Sequence, residues 1–287
     1  MKLSAGALYA LLAYGAWGLL PIYWKQLGVA SPVEVLSHRM VWSLVFLGVI
    51  LTLRRRLPEL GKIPRQRLLW LLVTAMLLSC NWGLYIYGVN TDRVVETSLG
   101  YFINPLVSVL LGFAVLKERL TRRQQLAVGL AVMGVGYFIW QFGAVPWIAL
   151  GLAATFALYG LVRKLVAVGP LVGLTVETGL MTPVALALIG YWQITGSGTF
   201  GSQPGLTLWF IGAGVATSMP LLWFNNAAKR LSLSTLGFFQ YVAPSIQLLL
   251  GVFVYGEPFT TTHLVSFSCI WLALALYSSQ ALKRQKS

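Results

Sequence analysis

The sequence predicts an all-α membrane protein of ten transmembrane helices, built as two inverted five-helix repeats. Three observations predict it. Hydrophobic residues make up 57% of the 287 positions and charged residues 10%, far from the roughly 25% charged expected of a soluble domain. Uncharged runs of membrane-spanning length recur along the chain, about 20 residues being enough to cross the hydrocarbon. Finally, the stretch Ser98 to Arg123 returns as Ser234 to Thr262, with Gly100, Pro105, Gly112 and Glu118 answered by Gly237, Pro244, Gly251 and Glu257.

Leu3 to Trp24, Leu68 to Thr91, Thr97 to Leu116, Leu231 to Gly256 and Pro258 to Leu282 are each about one span. Gln124 to Val162 and Thr178 to Ala228 are long enough for two helices each, turned near Gly143 to Pro146 and in Gly196 to Gly205. Val33 to Leu53 is the tenth span, with Glu34, His38 and Arg39 in its first turns. Lys2, the clusters in 54–67, 117–123, 163–170 and 229–232, and the carboxyl tail hold 18 of the 21 Lys and Arg; the others are Lys25, Arg39 and Arg93. Cationic loops stay cytoplasmic, so both termini are expected inside the cell. The net charge of +14 is thereby explained by topology, and no nucleic-acid partner is implied. The first span is too long for the ~7–15 residue core of a signal peptide and has a counterpart in the second half.

Five helices per half is an odd number, so the second half, 143–287, enters the membrane upside down relative to the first, 1–142. The far ends of the echo fit this: Lys117-Glu118-Arg119-Leu120-Thr121-Arg122-Arg123 becomes Gly256-Glu257-Pro258-Phe259-Thr260-Thr261-Thr262, without a cation.

The first helix carries Tyr14-Gly15-Ala16-Trp17-Gly18, matched in the sixth by Phe156-Ala157-Leu158-Tyr159-Gly160; glycines for close packing or aromatic walls of a site both fit. In the second helix Glu34 stands one turn from His38, and an ionisable group within a span is a functional candidate by default. Glu34 is read either as a proton carrier with His38 or as a headgroup-level acid paired with Arg39. The seventh helix keeps an acid, Glu177, with Lys164 its nearest cation in sequence. In the third, Asn81 and Tyr85 share a face, and a buried amide demands partners. Asp92, Arg93 and Glu96 form a turn that caps the fourth helix. There Pro105 interrupts the backbone bonding beside Tyr101 and Asn104; the ninth has Gln240 and Tyr241 before Pro244, and Gln247 after it. Paired interrupted helices in two halves point to a transport site at their interface. The fifth helix, with Gly129, Gly134 and Gly136, reads as a packing helix, compatible with a homodimer contact; the tenth is bland, with His263 at its outer end. Asn225 and Asn226 read as an end cap of the eighth. Cys80 and Cys269 make neither a disulfide framework nor a metal site, and no cofactor motif is present.

These residues resemble a known family. The five-plus-five plan and the Gly-aromatic-Phe-x-x-Pro helix ending in Lys-Glu-Arg look like the EamA domains of the drug/metabolite transporter superfamily. Glu34-x-x-x-His38-Arg39, Asn81-Trp82, Ser98 to Leu106, Tyr159 to Lys164 and Ser234 to Gln240 are similar to the RarD subfamily. The resemblance implies a ten-helix inner-membrane carrier, an association with chloramphenicol sensitivity, relatives that export amino acids or metabolites, and a central cavity lined by helices 1, 3, 4, 6, 8 and 9. By position it implies substrate contacts from Tyr14, Trp17, Asn81, Tyr85, Tyr101, Asn104, Tyr159, Gln240 and Tyr241.

The expected function is a secondary transporter, an exporter of a small amphipathic metabolite, amino acid or drug-like compound, working within the lipid bilayer by alternating access. Proton coupling falls to Glu177 or to Glu34 and His38. An accessory or receptor subunit is the alternative. An intramembrane enzyme is disfavoured: the only Asp is Asp92, the two His are far apart, and there is no P-loop, H-E-x-x-H or Ser-His-Asp pattern.

Overall fold

The computed structural model describes residues 5–117, 121–166, 168–228, 230–231 and 239–284. Glu118, the Ser234 to Phe238 part of the echo, Lys2 and the end of the tail lie outside the described residues. Among the described residues ten α-helices follow one another: α1 Ala5–Lys25, α2 Pro32–Leu53, α3 Arg65–Asn90, α4 Val94–Leu116, α5 Arg122–Phe142, α6 Trp147–Leu165, α7 Pro170–Thr195, α8 Pro204–Ala228, α9 Val242–Leu249 continued by a π-helical turn Leu250–Val254, and α10 Thr261–Arg284, with a 3-10 turn Leu57–Lys62 between α2 and α3. Six of these, α1, α2, α3, α4, α7 and α8, are long and apolar enough to cross a membrane; the apolar stretches of α5, α6, α9 and α10 are shorter.

Local chemistry sets the ends. Ser31 accepts from the Glu34 N–H at 3.1 Å to cap α2, and Pro32 supplies its first residue, a position where the missing N–H costs no bond. Proline also opens α7 and α8. Gly196 closes α7 at φ +66°, the left-handed conformation that glycine adopts without a Cβ penalty. Pro105 lies inside α4, which the described backbone carries as one helix. Pro244, by contrast, sits in the first turn of α9, because Gln240 and Tyr241 form a turn rather than helix.

Lipid tails are as apolar as leucine, so helices associate through close packing more than through the hydrophobic effect. The pairings are α1 with α8, α2 with α7 and α8, α3 with α6, α4 with α6 and α9, and α5 with α10. Where α4 crosses α6, a Cβ on Gly100 would stand 2.7 Å from the Ala149 carbonyl oxygen; only glycine permits this approach. Gly134 of the predicted packing helix α5 meets Cys269 and Ser266 of α10 in the same way, while Gly129 and Gly136 face open space.

Two ends of the bundle result. At one, Lys25 pairs with Asp92, the Glu96 carboxylate accepts from Ile148 N–H at 3.0 Å, and a single apolar cluster containing Trp24, Leu27, Val35, Ile86, Ile148 and Phe210 closes the centre. At the other, which carries the cationic 54–67 segment, the apolar side chains split. Leu47, Leu51, Leu78 and Trp82 pack with Leu171 and Leu174 of α7, whereas Ala10 and Tyr14 pack with Ala227 and Ala243.

Candidate functional site

Between those two clusters lies a cavity of about 570 Å³, within the ~300–1,000 Å³ typical of small-molecule sites. It runs from Leu20 and Tyr85 at the apolar plug to Val168 in the α6–α7 loop and Pro170 at the start of α7, at the cationic end.

Helix geometry decides what reaches it. Tyr14 and Trp17 of α1 meet Phe224 of α8 with ring centroids 6.0 and 5.7 Å away, making one aromatic wall. The opposite wall is a chain of rings, Tyr85 to Tyr101 at 5.7 Å, Tyr101 to Phe156 at 6.4 Å and Phe156 to Tyr159 at 5.9 Å. Asn81 is 1% exposed; its Nδ2 donates to the Leu152 carbonyl at 3.0 Å and to Thr155 Oγ1 at 2.9 Å. Gln247 Nε2 donates to the Trp17 carbonyl at 3.1 Å and to Tyr85 at 3.3 Å. The amide oxygens of both residues are buried without a hydrogen-bond partner. Asn104 Oδ1 accepts from Ser108 at 3.1 Å.

Tyr14, Trp17, Asn81, Tyr85, Tyr101, Asn104, Tyr159 and Gln240 therefore border one space, and so does Arg39. Tyr241 does not. Its ring stacks on Phe102 at 6.4 Å and 14°, because neighbouring residues in a turn of helical φ and ψ point about 100° apart.

The pairing of Glu34 with Arg39 is corrected. Five residues along a helix turn the direction by about 140°, so the two side chains diverge. The Glu34 carboxylate accepts from the Thr199 and Phe200 N–H groups at 2.7 and 3.1 Å and from Thr199 Oγ1 at 3.0 Å, fastening the α7–α8 loop at the plugged end. His38 lies outside the cavity, stacked on Phe200 at 4.3 Å and tilted against Phe210 at 4.5 Å. Arg39 donates from Nε to Thr217 Oγ1 at 2.8 Å and lies over the rings of Trp82 and Trp24 at 3.9 and 4.9 Å.

Glu177 is 1% exposed and stands directly behind the cavity wall. Its carboxylate accepts from Thr74 at 2.7 Å and Tyr159 at 3.3 Å. The cation beside it is Arg163, with Nε 3.6 Å from Oε1, one residue before the Lys164 that sequence proximity suggested. Arg163 ends α6 and also donates to the Val168 carbonyl at 3.2 Å. In the sequence Arg163 reads as a loop cation and as part of the Tyr159 to Lys164 stretch; its place four residues after Tyr159, on one helical face, is the signal for the site. Thr217 and Ser218 were missed too, since small hydroxyl residues occur throughout membrane helices. Asn226 donates to the Leu222 carbonyl and accepts from Arg230, a helix-end role as expected; the side chain of Asn225 lies outside the described set.

The fold and the cavity together define a multi-pass membrane protein with an internal cavity among its helices. Residues 4–140 match the EamA-like transporter family. The chain is 46% identical over 285 residues to an uncharacterised transporter of Vibrio cholerae serotype O1, covering 97% of this chain and 93% of that protein. It is 44% identical over 285 residues to Protein RarD of Escherichia coli K12, covering 98% and 96%. The chain belongs to the RarD subfamily of EamA-like transporters. It is thus a membrane transporter in a family of transporters rather than enzymes. A solved crystal structure 18% identical in sequence, covering 96% of this chain and 97% of its own, shares the fold with a TM-score of 0.61.

Proposed function

We propose that the protein is a secondary transporter that exports a small amphipathic metabolite, amino acid or drug-like compound across the bacterial inner membrane by alternating access. The observation that carries this reading is the cavity itself, with aromatic walls and buried amide oxygens, plugged at one end and reaching the loops at the other. All ten helices cross the bilayer in this reading, as the inverted repeats 1–142 and 143–287, with both termini cytoplasmic.

The helix pairings support the repeat. Exchanging each helix with the one five places on turns the α1–α8 contact into α6–α3, α4–α6 into α9–α1 and α2–α8 into α7–α3, while α2–α7, α4–α9 and α5–α10 map onto themselves. The cation-rich loops support the orientation, and the cavity then faces the cytoplasm. Opening the other end requires the apolar plug to part while the two lower clusters close on one another. Glu177 is the proton-coupling residue of this reading, since it touches two residues of the cavity wall and Glu34 touches none. Gly129 and Gly136, exposed on α5, offer the face for a homodimer.

Counterflow in proteoliposomes over amino acids, nucleosides and drugs tests the proposal. Saturable accumulation of at least one compound is expected. A protein that binds none and moves none would favour the accessory-subunit reading instead.

A further inference from the structure

Arg39 is 4% exposed, sits within a span and borders the cavity, yet no carboxylate reaches it. Every described acid is committed elsewhere. Glu34 holds the Thr199 and Phe200 amides, Glu257 the Val94 and Val95 amides, Glu59 pairs with Arg56, Asp92 with Lys25, Glu96 with Arg93 and Glu177 with Arg163. Glu118, the seventh acid of the chain, lies outside the described residues. Arg39 Nη1 is buried without a hydrogen-bond partner. A guanidinium so placed is costly unless a counter-charge is supplied.

We propose that the transported molecule supplies it: a small organic monoanion whose carboxylate docks on the Arg39 guanidinium and whose apolar body lies between the aromatic walls. This deepens the transport reading and rests on it. The guanidinium is held ready for such a ligand. The Thr217 hydroxyl occupies Nε, the Trp82 and Trp24 rings fix its plane, and the Nη groups remain, whose planar fork matches a carboxylate. The described cavity lining contains two arginines and no acid, so a ligand cation would find no full counter-charge among those residues. Asn81 Oδ1 and Gln247 Oε1, buried and unpartnered, accept from a neutral O–H or N–H on the ligand.

The test compares three matched series with purified protein: hexanoate, 3-phenylpropionate and indole-3-acetate, the amide of each, and the amine that replaces each carboxylate. Thermal unfolding is followed for wild type, Arg39→Gln and Arg39→Lys, with sodium chloride and sodium phosphate at equal ionic strength. At least one carboxylate should raise the wild-type Tm while its amide and amine do not. Arg39→Gln should abolish that rise, and Arg39→Lys should retain part of it. Without ligand, Arg39→Gln should melt at or above the wild-type temperature, because an uncompensated charge has gone; a purely structural arginine would give a lower value. Proteoliposome uptake of the stabilising carboxylate should fall at least about tenfold in Arg39→Gln, as loss of a charge-assisted bond demands. The inference is overturned if no carboxylate exceeds its own amide, if chloride or phosphate reproduces the effect, or if Arg39→Gln keeps it. Amides or amines accumulating equally in wild type and Arg39→Gln would leave transport standing and remove the anion. Carboxylates that bind through Arg39 but never cross would do the reverse.

Discussion

Glu177 Oε1 lies 3.6 Å from Arg163 Nε, and its other oxygen accepts from the Tyr159 hydroxyl at 3.3 Å, so one carboxylate ties α7 to a cation and a ring of α6 at the edge of the cavity. A proton arriving there weakens the attraction to Arg163 and alters the wall at Tyr159. Glu177→Gln, which keeps the shape and removes the titration, should abolish the pH dependence of transport in proteoliposomes. An unchanged pH profile would eliminate Glu177 as the carrier.

Asn104 borders the cavity where Pro105 interrupts the α4 ladder. Asn104→Ala should impair transport about tenfold, the worth of one polar contact of ~1.4 kcal/mol. Its amount in the membrane fraction should equal wild type, because among the described residues no other helix takes a hydrogen bond from it. Normal transport by the alanine variant would exclude Asn104 from the site.

Glu34 serves three donors of the α7–α8 loop. Glu34→Ala strands them, at about 1–3 kcal/mol, and should loosen the plugged end. In a Cys80→Ser, Cys269→Ala background, a cysteine replacing Leu20 at the top of the cavity should then react faster with an impermeant thiol reagent added from outside whole cells. Equal labelling with and without Glu34 would show that this contact holds nothing shut.

Glu257 accepts at 2.7 Å from both the Val94 and Val95 N–H groups at the start of α4. Burial pushes its carboxyl above the usual carboxylate range, against the pull of those amides and of Lys25. The folded state then holds the proton more tightly than the unfolded chain, whose Glu titrates near ~4.3. Wild type should therefore lose stability relative to Glu257→Gln as pH rises through the window between those two values, and the gap should be flat above it. Thermal unfolding from about pH 4 to 8 measures this; a gap moving the opposite way would show that the helix N-terminus outweighs burial.

Much of this architecture was legible in the sequence because membranes restrict the solutions. An uncharged run must be a helix, so the turns at Gly143 to Pro146 and Gly196 to Gly205 could be placed from composition alone. The aromatic and amide lining was legible through the Tyr14-Trp17 and Tyr159 echo and through Asn104 and Gln240 beside prolines. What stayed hidden was lateral: which side chain faces which helix. Glu34 and Arg39 look like partners in one dimension and separate in three, and Tyr241 turns away from the space its neighbour Gln240 reaches. Arg163 reaches Glu177 because α6 and α7 both pack on α3, a relation that charge counting along the chain does not contain. Thr217, the partner of Arg39, is 178 residues distant in sequence.

At the plugged end, three acids, Glu34, Glu96 and Glu257, address main-chain N–H groups of another segment. Apart from the Thr199 hydroxyl, the recognised partner is thus the course of the backbone and not the identity of a residue on it. Such a fastening is written in one codon on one side: at 94–95, 148 and 200 the bond itself asks only for a main-chain N–H, so a side chain there answers to packing and not to the acid, and Thr199 alone adds its hydroxyl. Relatives that differ throughout these loops can still shut in the same way, provided the acids and the path of the chain are kept.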